Sequence, residues 1–320
     1  MDLVDKVCVI TGASSGIGKS LASKLSLRGA KVVLAARRNS KLEEIRESIE
    51  KEGGKCFGVK TDITKKLECK TLIDETINRY QKIDILILAA GVSMWSPFEK
   101  ISDISFFDDL MATNYTGAVH CVHAALPSLI STNGMIVSCS TAQAIVGFTN
   151  HSGYAASKHA LHGFLDTLEM ELGGKVKFLE TCLGWIKGTN MRSNAFGPNG
   201  KKMGETKRKH SSNSVDLDVC VEKIISAIVI EKEKVYIPWK LKLIPFLDLF
   251  FGKFLRNKIN KAVPLTHAHE NRATEDDLTF IAVIVVDVVD PRRSSLLSSD
   301  TLTTLPRNHC VPEAPPPRTH

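Results

Sequence analysis

Residues 6–18 read Lys-Val-Cys-Val-Ile-Thr-Gly-Ala-Ser-Ser-Gly-Ile-Gly, a short apolar run followed at once by three closely spaced glycines. Such a run is typical of a strand that is buried on both faces of a parallel sheet. In the turn to the next predicted helix, Gly12 permits the tight bend, Gly16 lets the backbone approach a pyrophosphate, and Gly18 allows the helix to pack closely on the strand. The free N–H groups at the start of that helix suit the phosphate. An ordinary strand-to-helix turn is the alternative. We assign the whole turn to dinucleotide binding: Gly12, Ser14, Ser15, Gly16, Ile17 and Gly18.

The same strand and helix pattern repeats along the chain. Further apolar runs predict strands over residues 31–36, 55–60, 83–89, 134–139, 176–182 and 234–237. Helical patterns cover residues 19–27, 41–51, 64–79, 102–130, 152–172 and 216–230. Polar residues lie at the carboxyl ends of several strands, which is where open parallel sheets bind ligands. We therefore predict the α/β class, with a doubly wound parallel sheet of the Rossmann-like type in a single domain over residues 1–237.

The second predicted strand ends in two arginines, Arg37 and Arg38, directly after Ala35 and Ala36. An NAD-binding unit usually places a carboxylate here for the ribose hydroxyls, whereas a guanidinium can hold the 2′-phosphate of NADP. Because the two alanines provide no carboxylate, we predict NADP(H) as the cofactor. A solvated loop is the alternative for the arginine pair.

Later strand ends supply further candidate cofactor contacts. Asp62 can cap the next helix, and its place at the end of a central strand also fits contact with an adenine ring; the two roles are compatible. Ala90 and Gly91 form a corner of small residues where a cofactor can lie against backbone. The candidate contacts from these strand ends are Asp62, Ile63, Ala90, Gly91, Gly184 and Ile186.

Tyr154 and Lys158 are four residues apart in the predicted helix over residues 152–172. On a helix this spacing places both side chains on one face, one turn apart. A phenol has an ordinary pKa of about 10, and a nearby ammonium favours the phenolate, so the pair suits proton donation and acceptance at a carbonyl or alcohol. The same spacing also occurs by chance on solvated helices, so its weight depends on the other motifs.

Three more polar residues are candidates for the same site. Ser140 and Thr141 follow the fifth strand and place two hydroxyls at the ligand-facing end. Asn114 lies in a long predicted helix among apolar residues, and a buried amide needs partners. It either caps local backbone or holds a water in a functional network.

Composition limits the class of protein. The chain has 320 residues, of which 43% are hydrophobic, so it can bury a large core. Its eight cysteines form no Cys-x-x-Cys pair, which is typical of reduced, intracellular thiols rather than of disulfides or a metal site. No apolar run reaches about 18 residues, and the first strand leaves no room for a signal peptide, so we expect neither a transmembrane helix nor a leader.

The net charge of +7 suits nucleic acid, anionic lipid or a phosphorylated ligand, and the lack of a nucleic-acid motif favours the last two.

Three segments depart from the repeating pattern. Residues 185–214, with a basic patch at Lys207, Arg208 and Lys209, are either a lid over a substrate pocket or an ordinary surface loop. Residues 238–262 mix aromatic and aliphatic residues with lysines and arginines, which is typical of a membrane-interfacial segment or of a buried helix or dimer contact. The proline-rich residues 263–320 predict a disordered tail.

With these residues placed, the chain resembles the short-chain dehydrogenase/reductase family over roughly residues 4–262. The Thr-Gly-x-x-x-Gly-x-Gly turn at residues 11–18 and the Tyr-x-x-x-Lys pair carry the resemblance. The subgroup that looks most similar is the 11-beta-hydroxysteroid dehydrogenase-like set, because Leu183 and Gly184 stand where most of the family has Pro-Gly. Leu88 stands where the family begins a polar Asn-containing corner.

The resemblance implies a role for each candidate. Tyr154 would be the general acid or base, and Lys158 would bind the nicotinamide ribose and lower the pKa of the phenol. Asn114 would hold a relay water. The family's substrate-binding serine lies about thirteen residues before the tyrosine, a position that Thr141 occupies here with Ser140 one step earlier.

The implied activity is NADP(H)-dependent interconversion of a secondary alcohol and a ketone on a hydrophobic substrate, such as a steroid, a retinoid or a long-chain lipid. The alternatives are a 3-ketosphinganine-type reductase and a catalytically weak NADP-binding sensor or scaffold. We also expect a homodimer or homotetramer, no nucleic-acid partner, and peripheral membrane contact through residues 238–259. The expected location is the cytoplasm or the surface of an intracellular membrane such as the endoplasmic reticulum.

Overall fold

The computed structural model describes residues 1–204 and 214–262, and it confirms the predicted alternation of strands and helices. The strands are β1 (Val7–Thr11), β2 (Lys31–Ala36), β3 (Lys55–Lys60), β4 (Ile85–Leu88), β5 (Met135–Thr141), β6 (Lys177–Leu183), β7 (Ile186–Lys187), β8 (Val215–Asp216) and β9 (Lys234–Ile237). The helices are α1 (Gly16–Leu27), α2 (Asn39–Lys51), α3 (Lys66–Tyr80), α4 (Phe106–Met111), α5 (Gly117–Ser131), α6 (Ser152–Leu172), α7 (Leu217–Val229) and α8 (Ile244–Ala262). The predicted tail and the basic patch at Lys207, Arg208 and Lys209 lie outside the described residues.

Seven strands form one parallel sheet in the order β3-β2-β1-β4-β5-β6-β9. The chain builds outward from β1 through β2 to β3, and then returns to the other side of β1 with β4. A crevice opens above the carboxyl ends of the strands where the order reverses, which is the usual ligand site of such sheets. The predicted Rossmann-like, doubly wound sheet is therefore confirmed.

The two faces of the sheet are covered by helices, so the central strands are buried on both sides. In β1, Cys8 and Ile10 pack into the core on one face, while Val7 and Val9 pack into the core on the other. All four side chains are fully buried. This double burial explains why β1 is an uninterrupted apolar run instead of an alternating one.

The long helix predicted over residues 102–130 is interrupted in the structure. Its first part is α4, its last part is α5, and residues Ala112–Thr116 between them form one wider π turn that contains Asn114. Such turns occur within longer helices and often at functional sites. The spacing of apolar residues does not reveal one extra residue in a single helical turn. For this reason the sequence pattern predicted one continuous helix.

Residues after β9 pack one face against the sheet and expose the other. Leu241, Ile244, Leu247, Leu255 and Ile259 are buried in a small core with residues of β6 and of the segment after β5. The opposite face of this segment is solvent-exposed, and it includes Phe246, Leu249, Phe250, Phe251 and Phe254. No helix in residues 1–204 and 214–262 is both long and apolar enough to cross a bilayer.

The backbone of the turn after β1 lies in close contact with the backbone at the end of β4. A Cβ atom on Gly12 would lie 2.7 Å from the Cα atom of Ala90, and a Cβ atom on Gly18 would lie 2.6 Å from the carbonyl oxygen of Gly12. Gly12 also has a positive φ of 67°, which favours glycine. The Thr11 hydroxyl holds the same corner, since it donates to the Ile87 carbonyl and accepts from the Ala90 N–H, both at 3.3 Å.

Replacing Gly18 with alanine is expected to lower the free energy of unfolding by about 1–3 kcal/mol, because the added methyl group overlaps a backbone oxygen that cannot move freely. Gly163→Ala is the matched control: it lies inside α6 with open space around its Cβ position, so it should raise stability by up to about 1 kcal/mol. Urea unfolding monitored by circular dichroism measures both. Equal midpoints for the two variants would contradict the close packing of the turn.

Candidate active site

A groove of about 490 Å³ runs along the carboxyl ends of the strands, from the glycine turn to α6. It brings together all but one of the residues that the sequence assigned to a site. The predicted residues that line it are Gly12, Ser14, Ser15, Gly16, Ile17, Gly18, Arg37, Arg38, Asp62, Ile63, Ala90, Gly91, Ser140, Thr141, Tyr154, Lys158, Gly184 and Ile186. Candidates taken from six different strand ends therefore share one cavity.

Asn114 lies behind the wall of this groove, where its amide connects two elements. Its Oδ1 accepts from the Val92 N–H at 2.8 Å, and its Nδ2 donates to the Val92 carbonyl at 2.8 Å and to the Ser157 hydroxyl at 2.9 Å. The Ser157 hydroxyl in turn donates to the Tyr154 carbonyl at 2.8 Å. The side chain thus ties the loop after β4 to the first turns of α6, which fits the predicted backbone-capping role. Its role as a water holder stays a prediction.

Tyr154 and Lys158 are both buried at the base of the groove. The Lys158 amino group donates to the Cys139 carbonyl at 3.1 Å and lies 6.0 Å from the centre of the Tyr154 ring. Burial raises the pKa of the Tyr154 phenol, and burial lowers the pKa of the Lys158 amine. Burial is the largest cause of the upward shift in the phenol's pKa, and the lowering of this pKa by Lys158 stays a prediction from the resemblance. The phenol therefore carries its proton at neutral pH.

The two hydroxyls after β5 differ in their surroundings. Ser140 is buried and lines the groove, whereas Thr141 is half-buried and lines both the groove and a second cavity beside it. The Thr141 Oγ1 accepts from the Gln143 N–H at 3.4 Å. Thr141 therefore stands at the junction of the two cavities together with Tyr154, and Ser140 lies only on the groove side.

The opposite end of the groove is cationic. Arg37 and Arg38 are exposed, and the Arg38 guanidinium donates to the Ser14 hydroxyl at 3.3 Å. Lys202, from the segment after β7, also lines the groove. Asp62 is engaged locally: its Oδ1 accepts from both the N–H and the hydroxyl of Thr64. The Asp62 carboxylate therefore stabilises the turn before α3, and Asp62 is also one of the residues that line the groove.

Comparisons with known proteins agree with this geometry. Residues 6–199 match the family model described as short chain dehydrogenase. The chain belongs to the short-chain dehydrogenase family. The match covers strands β1 to β7, the glycine turn and the Tyr154–Lys158 pair.

Curated relatives of this short-chain dehydrogenase place it near one subgroup. It is 38% identical over 201 residues to the 11-beta-hydroxysteroid dehydrogenase 1A of Arabidopsis thaliana, which covers 62% of this chain and 58% of that protein. It is 38% identical over 187 residues to the 11-beta-hydroxysteroid dehydrogenase of Pinus massoniana, covering 58% of this chain and 52% of that protein. The chain thus spans little more than half the length of these relatives. The resemblance to the 11-beta-hydroxysteroid dehydrogenase-like subgroup is confirmed.

Solved structures show the same fold. An alcohol dehydrogenase from Thermococcus sibiricus, complexed with 5-hydroxy-NADP, matches with a TM-score of 0.63 at 24% identity over 72% of this chain and 95% of its own. A putative short-chain alcohol dehydrogenase from Sinorhizobium meliloti matches with a TM-score of 0.55 at 30% identity over 59% of this chain and 75% of its own.

The second cavity of this short-chain dehydrogenase, of about 230 Å³, contains residues that sequence reasoning missed. Its wall is largely apolar, and it shares Thr141, Tyr154, His151 and Trp185 with the groove. The His151 ring is buried and packs 4.8 Å from Trp95, 6.2 Å from Tyr154 and 6.3 Å from Trp185, centre to centre. Burial lowers the pKa of His151 to about 4, so the imidazole is neutral. The only sequence feature that could have pointed to His151 as a site residue is its position three residues before Tyr154.

Proposed function

We propose that this short-chain dehydrogenase is an NADP(H)-dependent oxidoreductase that interconverts a secondary alcohol and a ketone on a hydrophobic substrate. The observation that carries the proposal is the convergence of Tyr154 and Thr141 at the point where the groove meets the mainly apolar cavity, with Lys158 on the groove side. A substrate carbonyl at this junction would lie beside an acid, and its hydrocarbon part would lie in the second cavity. A steroid, a retinoid or a long-chain lipid suits such a cavity, and the names of the curated relatives support the steroid class.

The residues of the groove fit a dinucleotide. The glycine turn leaves no room for a Cβ atom at Gly12 or Gly18, and the start of α1 offers backbone N–H groups to phosphate. Arg37 and Arg38 would hold a 2′-phosphate, since β2 ends without a carboxylate. The NADP analogue in the complex of the Thermococcus sibiricus enzyme supports the same choice. When bound, the reduced cofactor supplies a hydride.

The protein's own part in the reaction is proton transfer and positioning. The Tyr154 phenol, protonated at neutral pH, would donate its proton to the substrate oxygen during ketone reduction. The Thr141 hydroxyl, or that of Ser140, would donate a hydrogen bond to the same oxygen as negative charge develops there. Lys158 would hold the nicotinamide ribose and stabilise the phenolate that remains on Tyr154.

Replacing Tyr154 with phenylalanine is expected to lower kcat for ketone reduction by about a hundred-fold to ten-thousand-fold, because the ring stays and only the proton donor is lost. NADPH binding should persist. The measurement is NADPH oxidation with a panel of ketosteroids, retinoid ketones and keto-sphingoid bases. Tyr80→Phe, at the end of α3 against Phe57, is the matched control with normal turnover. Unchanged turnover in the Tyr154 variant would refute the acid role, and tight NADPH binding by the wild type without turnover on any ketone would favour a sensor or scaffold.

Replacing Arg37 with aspartate is expected to weaken NADPH binding by at least about tenfold and to affect NADH much less, because the carboxylate repels a 2′-phosphate. Lys41→Asp makes the same change of charge near the start of α2 without lining the groove, and should leave the preference unaltered. Titration of NADPH and NADH by fluorescence measures both affinities. An equal loss for the two cofactors would argue against contact with the 2′-phosphate.

We also propose peripheral contact with an anionic membrane through residues 238–259. The exposed face of α8 carries Phe246, Leu249 and Phe250, and lysines such as Lys242 and Lys253 lie exposed in the same segment. Apolar side chains of this kind enter the acyl boundary while lysines meet anionic headgroups. The same segment lines the second cavity through Pro238, Lys240 and Leu241, so a lipophilic substrate could pass directly from lipid. A homodimer or homotetramer stays a prediction from the family resemblance.

The double variant Leu249→Asp/Phe250→Asp is expected to lose most of its flotation with phosphatidylserine vesicles, because it places two carboxylates on the exposed face without touching the buried one. Leu67→Asp, an exposed apolar residue in the first turn of α3, is the matched control and should float like the wild type. Unaltered flotation of the double variant, with a fall in oligomer size on gel filtration, would identify this face as a subunit contact instead.

A further inference from the structure

Two buried polar side chains, Gln143 and His151, lie on the wall of the second cavity close to the proposed reacting groups. Gln143 follows Thr141 by two residues in a tight turn, and its backbone N–H donates to the Thr141 hydroxyl. The His151 ring lies 6.2 Å from the Tyr154 ring, centre to centre. Both side chains therefore border the place where a substrate carbonyl would sit between Thr141 and Tyr154.

His151 offers an acceptor to this cavity. Its Nδ1 lies 2.8 Å from the Thr149 carbonyl oxygen, which can only accept, so Nδ1 carries the proton. In a neutral imidazole the other nitrogen, Nε2, then has a free lone pair. Nε2 has no hydrogen-bond partner among the described residues and is not one of their fully buried polar atoms, and the residue lines both the groove and the second cavity.

Gln143 offers the other half of a hydrogen-bonding pair. Its Oε1 is buried and lacks a hydrogen-bond partner within the described part of the chain. Its Nε2 is likewise unpaired among those residues but is not sealed, so the amide N–H groups open onto the cavity.

A neutral hydroxyl can donate to the His151 nitrogen and accept from the Gln143 amide at the same time. An ammonium has no lone pair for the Gln143 N–H, and a carboxylate has no proton for the His151 nitrogen. The cationic side chains of Lys158, Arg192 and Lys240 also line the two cavities and would repel an ammonium. Because Gln143 and His151 border the junction that Thr141 and Tyr154 share, a hydroxyl bound between them would lie close to the substrate carbonyl.

We propose that Gln143 and His151 form a hydroxyl-binding subsite that selects lipophilic ketones carrying a hydroxyl group on the carbon beside the carbonyl. This inference rests on the proposed ketone reduction and narrows its substrate class. It makes Gln143 and His151 specificity-determining residues, whereas Tyr154 and Thr141 act on the carbonyl oxygen itself.

The test compares three straight-chain ketones of equal length: a plain ketone, the same ketone with a neighbouring hydroxyl, and the same ketone with a neighbouring amine. For the wild type, kcat/KM is expected to be about tenfold or more higher for the hydroxyketone than for the plain ketone, with no gain for the aminoketone. In Gln143→Met and in His151→Phe, the ratio of hydroxyketone to plain ketone should fall toward one. His151→Gln, which restores an acceptor oxygen, should recover part of the ratio.

Met191→Leu is the control, since it changes an apolar residue of the same two cavities and should leave the ratio unaltered. Equal efficiency for plain ketone and hydroxyketone, or a preference that survives in both variants, would overturn the subsite while leaving ketone reduction intact. A preference for the aminoketone would overturn the assignment to a neutral hydroxyl.

A binding measurement separates the subsite from the proposed reaction. The complex with oxidised NADP cannot reduce a ketone, so the affinities of the plain ketone and hydroxyketone can be compared at equilibrium through the fluorescence of Trp95 and Trp185, which flank His151. Tighter binding of the hydroxyketone without turnover in the presence of NADPH would support the subsite and refute the reductase proposal. Equal affinities would refute the subsite.

Discussion

The close approach of the glycine turn to the end of β4 is the constraint on which the rest of the structure depends. At Gly12 the two segments come so near that a single Cβ atom would overlap the backbone of Ala90. This contact fixes the crevice at the reversal of strand order, and the groove that runs from the glycine turn to α6 starts there. The corner has Leu88 where the family begins with a polar residue, but the Thr11 hydroxyl and the Asn114 amide still hold the segment after β4 in place.

Much of this architecture could be predicted because its signals are local in sequence. Apolar runs locate the buried strands, the three glycines mark the turn, and the spacing of Tyr154 and Lys158 places them on one helix face. The burial that raises the pKa of the Tyr154 phenol could not be predicted, because it is produced by segments that are distant in the sequence. The second cavity was missed for the same reason, since Gln143, Trp185 and Leu241 meet there from three separate parts of the chain.

The residues after β9 link the second cavity to the outer surface. Leu241 lies in the small core that anchors this segment, and it also lines the second cavity. The exposed aromatic face of α8 is therefore attached to the wall of the cavity through a few buried side chains. A surface that binds lipid on one side and forms a substrate wall on the other would shorten the path of a lipophilic ligand, which is poorly soluble in water.

The unfavourable burial of Tyr154 and Lys158 has a role in the proposed chemistry. Burial disfavours the charged form of each group, so the phenol stays protonated and the ammonium is destabilised. If Tyr154 gives up its proton to the substrate oxygen, as proposed, a negative charge would appear near Lys158 in a buried site. The attraction between the two charges is then far stronger than it would be in water. In the proposed reaction Lys158 would thus stabilise the state formed during proton transfer more than the state before it, which is the condition for a residue to accelerate a reaction instead of only binding its substrate.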